Sequence, residues 1–161
     1  MTRSRGLMLV AVLVPLAAVA AGLVSQHVFD MQPCPWCVLQ RLLFVVMALV
    51  ALPGLLVNRV GMRVRVRRTS AAAVLTLALC GVAAALWQHF VAASSTSCNL
   101  TLADRIISSL GLDESAPQVF AAYASCADAA VNMAGVPYAF WSLAVFVLLG
   151  LVAVAVWRQP G

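Results

Sequence analysis

The sequence predicts an all-α membrane protein, folded as an antiparallel four-helix transmembrane bundle. Of its 161 residues, 64% are hydrophobic and only 9% are charged, whereas a soluble domain is typically about 45–50% apolar and about 25% charged. So few charged side chains cannot cover the surface of a water-soluble globule of this length. Disorder requires the opposite composition, with low hydrophobicity and high charge. The length suits one domain, so we expect residues 1–161 to form a single integral membrane domain.

Four long apolar segments account for the four predicted helices. A helix needs about 20 mostly apolar residues to cross a hydrocarbon core of about 30 Å. Segments of this kind occupy residues 7–29, 38–57, 70–93 and 138–157, approximately. Their only charge is Arg41, near the start of the second, and none shows the strict alternation of a membrane strand. The first is longer than the apolar core of a signal peptide, so we expect it to remain as an uncleaved helix.

The charged residues divide between the two sides of the predicted membrane. All ten basic residues are arginines, which excludes lysine Schiff-base chemistry. Arg3 and Arg5 precede the first segment, and Arg158 follows the fourth. Five more arginines lie between the second and third segments: Arg59, Arg63, Arg65, Arg67 and Arg68. All five acidic residues fall on the opposite side, with only Arg41 and Arg105 among the basic ones.

This division predicts the orientation. The positive-inside rule makes the arginine-rich side cytoplasmic, so both termini are cytoplasmic and two outer loops, about 30–37 and 94–137, face the periplasm. The net charge of +5 then reflects topology and contact with the anionic lipid of the bilayer. A nucleic-acid role is not expected, because nucleic-acid binders cluster basic residues on a polar fold.

The cysteines point to redox chemistry outside the membrane. Cys34 and Cys37 form a C-x-x-C unit in the short outer loop, Cys98 and Cys126 lie in the long one, and Cys80 lies within the third segment. Cysteines in an oxidising compartment are expected to pair, and four allow three connectivities. C-x-x-C is common in redox-active pairs. Two alternatives are structural disulfides that tie the loops together and an all-thiolate zinc site, which normally has two C-x-x-C units.

The surroundings of the C-x-x-C unit favour the redox interpretation. Pro33 and Pro35 keep Cys34 out of a helix, while Cys37 stands at the start of the second segment, where a helix N-terminus stabilises a thiolate. Arg41 follows one turn deeper. A charge at that depth is expensive and by default functional, so we expect it to stabilise the thiolate and donate to a bound ligand; the alternative is snorkelling to the headgroups. The arrangement suits exchange of two electrons with a lipid-soluble carrier.

A combination of motifs resembles the DsbB family of disulfide bond formation proteins. The motifs are CPWCVLQR at residues 34–41, Cys98, PQVF at 117–120 followed by Cys126, and Gln-His-Val at 26–28. The resemblance implies a quinone-dependent thiol oxidase in the bacterial inner membrane, with its active loops in the periplasm. It further implies that the protein reoxidises a periplasmic DsbA-like dithiol oxidase and passes the electrons to ubiquinone or menaquinone.

The resemblance also implies a role for each site residue. The position of Cys98 forms the mixed disulfide with the DsbA-like partner, and Cys126 then exchanges with Cys34. Cys37 is left as a thiolate beside the quinone, which Arg41 helps to bind. No metal ligand is expected among these residues.

Three further residues are candidates for quinone contact. His27 and His89 lie at the outer ends of the first and third segments, where each is suited to donating to a quinone carbonyl or passing protons. An interfacial residue with no such role is the alternative. His89 is preferred because the family has a histidine at a similar place, and Trp36 is a candidate to stack on the quinone.

The long outer loop contains a predicted amphipathic helix. Apolar residues at 102, 103, 106, 107 and 110 follow helical spacing, and Gly111 ends the pattern. The helix is expected either to lie on the membrane surface or to pack against the top of the bundle.

Two other function classes remain open. One is a quinone reductase resembling vitamin K epoxide reductase, which is also a bundle with C-x-x-C but has its cysteines in a different chain order. The other is a non-enzymatic thiol protein of the membrane with a metal-binding or structural role.

Overall fold

Four long helices dominate the computed structural model, which describes residues 3–57, 60–94 and 101–159. In chain order the elements are α1 (Arg3–Val28), α2 (Pro35–Leu56), α3 (Val60–Phe90), a 3-10 turn (Ala92–Ser94), α4 (Leu102–Ser109), α5 (Leu112–Ser115), α6 (Pro117–Phe120), β1 (Asn132–Met133), β2 (Val136–Pro137) and α7 (Tyr138–Trp157). Helices α1, α2, α3 and α7 are each long and apolar enough to cross a membrane. The predicted helical bundle is therefore confirmed.

The four long helices form a closed antiparallel ring. Helix α2 packs between α1 and α3, and α7 packs against both α3 and α1. At one end, the guanidinium of Arg67 on α3 donates to the Gly54 carbonyl at 3.2 Å and to the Ser4 hydroxyl at 2.6 Å. At the other end, Arg41 on α2 donates to the Gly22 carbonyl at 3.1 Å. Helices α1, α2 and α3 therefore alternate in direction, and α7 runs opposite to α3, because Phe146 lies beside Gly81 while Gly150 lies beside Ala78.

A stacked aromatic pair lies in the middle of the bundle. Phe146 of α7 is completely buried, and its ring stacks on Phe44 of α2 with centroids 4.2 Å apart and planes 9° apart. Gly81 of α3 leaves room for this ring, because a Cβ at that position would overlap it. Small residues let helix backbones approach closely, and such packing holds membrane bundles together.

The third long helix starts earlier than predicted. It begins at Val60 rather than near residue 70, so four of the arginines expected in a connecting link lie in its first turns: Arg63, Arg65, Arg67 and Arg68. Hydropathy marks where a segment leaves the lipid, but arginine is a good helix former and no proline interrupts this stretch. The helix therefore continues past the apolar part.

The predicted helix in the long outer loop is present as α4. Thr101 and Asp104 form a capping box at its start, and Gly111 follows its end with a left-handed φ of +63°, a conformation that favours glycine. Ala103 and Ile107 are buried against the bundle, whereas Leu102 remains 63% exposed. Of the two expected placements, packing on the top of the bundle is the one observed.

Candidate functional site

Three cysteine sulfurs meet at the outer end of α2. Pro35 occupies the first turn of the helix, so Cys34 is its N-cap residue, and the Cys34 sulfur accepts the Cys37 backbone N–H at 3.3 Å. The Cys34 Sγ lies 2.8 Å from the Cys37 Sγ and is also hydrogen-bonded to Cys126. Across the described ranges, no group of three or more His, Cys, Asp or Glu residues could hold a metal ion.

The long loop brings Cys126 to this position through backbone contacts. The backbone N–H groups of Tyr123 and Ala124 donate to the Pro33 carbonyl at 3.0 and 3.3 Å. Cys126 itself packs in a buried cluster with Trp36 and Ala103. The short loop and the long loop are thus tied together directly beside the C-x-x-C unit.

The contacts between Cys34 and Cys126 have opposite effects on the two thiols. Cys34 donating to the Cys126 sulfur lowers the pKa of Cys126, and the backbone N–H of Trp36 lowers it further, against the opposing effect of burial. The same contact, the contact with Cys37 and burial together raise the pKa of Cys34. The contact places the Cys126 sulfur directly beside the Cys34 sulfur, as exchange of a disulfide between the two would require.

A cavity of about 240 Å³ opens beside Cys37 among the four long helices. Its walls are mainly apolar, with Phe44, Val145 and alanines of α1 among them. Polar groups that reach it are Ser25, Cys37, Gln40, Arg41, Gln88, Tyr138 and Ser142. An apolar cavity with a few convergent polar groups is the usual form of a small-molecule site.

Arg41 is buried beside this cavity. Its guanidinium donates to the Gln26 side-chain oxygen at 2.6 Å and to the carbonyls of Val119 and Gly22, each at 3.1 Å. Within the described part of the chain these acceptors are all uncharged. A buried cation without a counter-anion is costly, so the site favours a ligand or a neighbouring group that carries negative charge.

The same corner of the bundle holds the segment around α6. Besides the Arg41 contact with Val119, Gln26 donates to the Gln118 carbonyl at 3.4 Å, and the His27 Nε2 lies 3.3 Å from the same oxygen. Side chains of α1 and α2 therefore bind the backbone carbonyls of the two central residues of the PQVF motif. His27 contacts the long loop and is not part of the cavity lining.

The structure brings some of the predicted site residues together and separates others. Cys37 and Arg41 line the same cavity, whereas His89 lines a neighbouring cavity of about 120 Å³ together with Cys126. Trp36 lies near Trp87, with ring centroids 6.3 Å apart, and does not line the larger cavity. Cys98 falls in residues 95–100, outside the part of the chain that the structure describes.

Two buried glutamines were not predicted as site residues. Gln40 donates to the Gln88 side-chain oxygen at 2.6 Å, and Gln88 donates to the Cys37 Sγ at 3.1 Å. The available signal was the presence of amides within otherwise apolar segments, because a buried amide needs a hydrogen-bond partner. Sequence alone does not show that Gln88 faces Cys37, which lies on another helix.

Comparison with known proteins identifies the family. Residues 4–156 match the family model for disulfide bond formation protein DsbB. Disulfide bond formation protein B of Aromatoleum aromaticum is 32% identical over 147 residues, covering 86% of each chain. Disulfide bond formation protein B of Burkholderia pseudomallei is 32% identical over 162 aligned positions, with 99% of this chain and 93% of the relative covered. In Pseudomonas aeruginosa, disulfide bond formation protein B 1 is 31% identical, with 89% and 88% covered. This chain, a multi-pass membrane protein with Cys34, Cys37 and Cys126 gathered at one end of a helical bundle, belongs to the DsbB family of disulfide bond formation proteins.

Proposed function

We propose that this protein is a quinone-dependent thiol oxidase of the bacterial inner membrane that reoxidises a periplasmic DsbA-like dithiol oxidase. The observation that carries the proposal is the position of Cys37. Its sulfur contacts Cys34, which in turn contacts Cys126, and it also lines the apolar cavity that contains Arg41. A chain of sulfurs that starts in a water-facing loop and ends at a lipid-depth cavity suits transfer of electrons from a soluble dithiol to a membrane carrier.

The distribution of charge supports a periplasmic position for the sulfurs. Arginines occupy the start of α1, the start of α3 and the end of α7, at the end of the bundle away from the cysteines. The acidic residues all lie near the cysteine end. Under the positive-inside rule the arginine end faces the cytoplasm, and the sulfurs then face the oxidising compartment, where disulfides persist.

The proposed electron path is a series of thiol–disulfide exchanges. A thiolate of the reduced partner attacks Cys98 in a Cys98–Cys126 disulfide, and the bond electrons leave on Cys126. Cys126 then attacks Cys34 in a Cys34–Cys37 disulfide, which forms Cys34–Cys126 and releases Cys37 as a thiolate. When the partner's second thiolate displaces Cys98, the partner becomes a disulfide. The Cys98 thiolate then attacks Cys126 in the Cys34–Cys126 disulfide and releases Cys34, so that both electrons rest on the Cys34–Cys37 pair beside the cavity. Each step exchanges one S–S bond for another, as thiol–disulfide exchange requires.

The residues around the larger cavity fit a quinone, either ubiquinone or menaquinone. The apolar walls suit the ring, and Arg41 supplies a buried cation whose present acceptors are uncharged. Arg41 and Cys37 would hold the ring on its polar side. A bound quinone accepts two electrons and two protons as it becomes the quinol. His89 lines the adjoining cavity, where an imidazole is suited to passing protons.

Trapping a mixed disulfide tests the partner. In a Cys126→Ser variant, Cys98 lacks the cysteine that would pair with it, so its thiolate is expected to attack an oxidised DsbA-like protein and form a covalent adduct. Acid quenching, alkylation and a non-reducing gel detect that adduct. A Cys98→Ser, Cys126→Ser double variant is the control and should form none. A Cys126→Ser variant without an adduct would contradict the assigned role of Cys98.

Replacing Arg41 by alanine tests whether this residue helps to bind the quinone that accepts the electrons. Arg41→Ala is expected to raise the apparent KM for a soluble quinone analogue by about tenfold or more, because hydrogen bonds to charged groups contribute about 1.5–3 kcal/mol. The measurement is the initial rate of quinone reduction by a reduced DsbA-like protein at varied quinone concentration. Arg105→Ala is the matched control, since Arg105 is exposed on the outer loop and should leave KM unchanged. An unchanged KM in Arg41→Ala would refute quinone contact.

A further inference from the structure

A buried amide donates directly to the sulfur that faces the cavity. The Gln88 Nε2, at the outer end of α3, lies 3.1 Å from the Cys37 Sγ. Gln88 is only 5% exposed, so water does not compete freely for this contact. A hydrogen bond donated to a sulfur favours its charged form. Gln88 is therefore placed to stabilise a thiolate on Cys37.

A second amide contacts the other end of Gln88. The Gln40 Nε2 donates to the Gln88 Oε1 at 2.6 Å, and Gln40 is itself only 3% exposed. With its oxygen occupied in this way, the Gln88 amide presents its NH₂ group to Cys37. Reversal of the amide would place an oxygen beside the sulfur and two NH₂ groups against each other. Gln40 thus orients Gln88 without touching the sulfur.

Arg41 does not take this role in the structure. Its guanidinium donates to Gln26, Val119 and Gly22, and none of these contacts involves the Cys37 sulfur. The cation contributes its field at a distance, whereas Gln88 donates to the Cys37 sulfur as a neutral amide, in addition to the contact of that sulfur with Cys34. The two contributions are separable, because they arise from different helices and different side chains.

We propose that Gln88 is a catalytic residue that stabilises the Cys37 thiolate, and that Gln40 is the positioning residue that orients its amide. This inference rests on the proposed function, in which Cys126 attacks Cys34 and the electrons of the Cys34–Cys37 bond leave on Cys37. Stabilising that leaving sulfur makes it a better leaving group, since a thiol that ionises more easily leaves faster. The same hydrogen bond keeps Cys37 ionised beside the cavity.

The test is a pH titration of Cys37 in the full-length protein. Replacing Cys34, Cys80, Cys98 and Cys126 by serine leaves one thiol, and its ionisation is followed by ultraviolet thiolate absorbance. In this four-serine protein, Gln88→Met removes the hydrogen-bond donor and keeps a side chain of similar size. It should move the titration midpoint of Cys37 upward by about one pH unit or more. Gln40→Met should move it upward by less, because the donor remains but is no longer oriented.

Two further variants make the outcome decisive. Gln88→Glu keeps an acceptor for Gln40 but places a carboxylate beside Cys37, so it should also raise the titration midpoint of Cys37. This variant provides the test if the Gln88→Met protein does not fold. Ser70→Ala, which changes a buried polar residue at the opposite end of the bundle, should leave the midpoint unchanged. If a folded Gln88→Met or Gln88→Glu protein has the same Cys37 titration midpoint as the four-serine protein with Gln88 intact, the proposal is wrong.

The result is independent of the proposed function. The titration uses no quinone and no partner, so it reports on Gln88 whether or not the protein turns over. Failure of the unsubstituted protein to reduce a quinone analogue with a reduced DsbA-like protein would instead refute the proposed function. In an active protein, Gln88→Met is additionally expected to shift the acidic limb of the rate profile to higher pH, which loss of packing alone would not do.

Discussion

Replacing Cys37 by serine is expected to lower quinone reduction by at least about 10³-fold, as loss of a catalytic nucleophile commonly does. A serine hydroxyl neither forms the disulfide with Cys34 nor ionises at neutral pH, so the sulfur path ends before it reaches the cavity. The measurement is the absorbance of a quinone analogue during turnover with a reduced DsbA-like protein. A Cys34–Cys126 disulfide should still form, by attack of the Cys34 thiolate on Cys126 of the Cys98–Cys126 disulfide with Cys98 leaving as a thiolate, because the Cys34 and Cys126 sulfurs contact each other directly.

The matched control for this substitution is Cys80→Ser. Cys80 is a free thiol on α3, and its side chain is exposed on the bundle surface. It should retain the activity of the unsubstituted protein. Quinone reduction by Cys37→Ser at the rate of Cys80→Ser would show that electrons reach the acceptor by another route, and the proposed function of Cys37 would be wrong.

Replacing Phe146 by alanine is expected to destabilise the bundle by about 3 kcal/mol, near the lower end of the range for such truncations. The ring is fully buried and stacks on Phe44, so its removal leaves a cavity between α2, α3 and α7. The transfer contribution is smaller than in a soluble protein, because lipid is as apolar as the bundle interior. Reversible unfolding in mixed detergent micelles measures the change.

Leu148→Ala, two residues further along the same helix, is the matched control. Leu148 is 46% exposed on the outer surface of the bundle, where detergent or lipid replaces the lost contacts. It should change the free energy of unfolding by well under half as much. Equal destabilisation by the two substitutions would show that the aromatic stack does not hold the bundle together.

The helices were predictable because their signals are local. An apolar run long enough to cross a bilayer specifies a helix by itself, since lipid offers the backbone no hydrogen-bond partners. The proline after Cys34 likewise marks the start of α2 within a few residues. Hydropathy does not predict the start of α3 at Val60, because the first turns of this helix are rich in arginine, a residue with good helix propensity that hydropathy counts as polar.

The same distinction between local signals and long-range contacts applies to the candidate site. The sequence by itself determined the C-x-x-C unit, the buried cation one turn later and the family, because residues close together on one helix have a known spacing. Only the tertiary structure decided that Cys126 lies against Cys34, that His89 lines a different cavity from Arg41, and that Gln88 donates to Cys37. Each of these contacts joins side chains from separate elements, and their geometry depends on how the helices are rotated and how the long loop is docked. Those rotations are set by packing across the whole bundle, which no local spacing records.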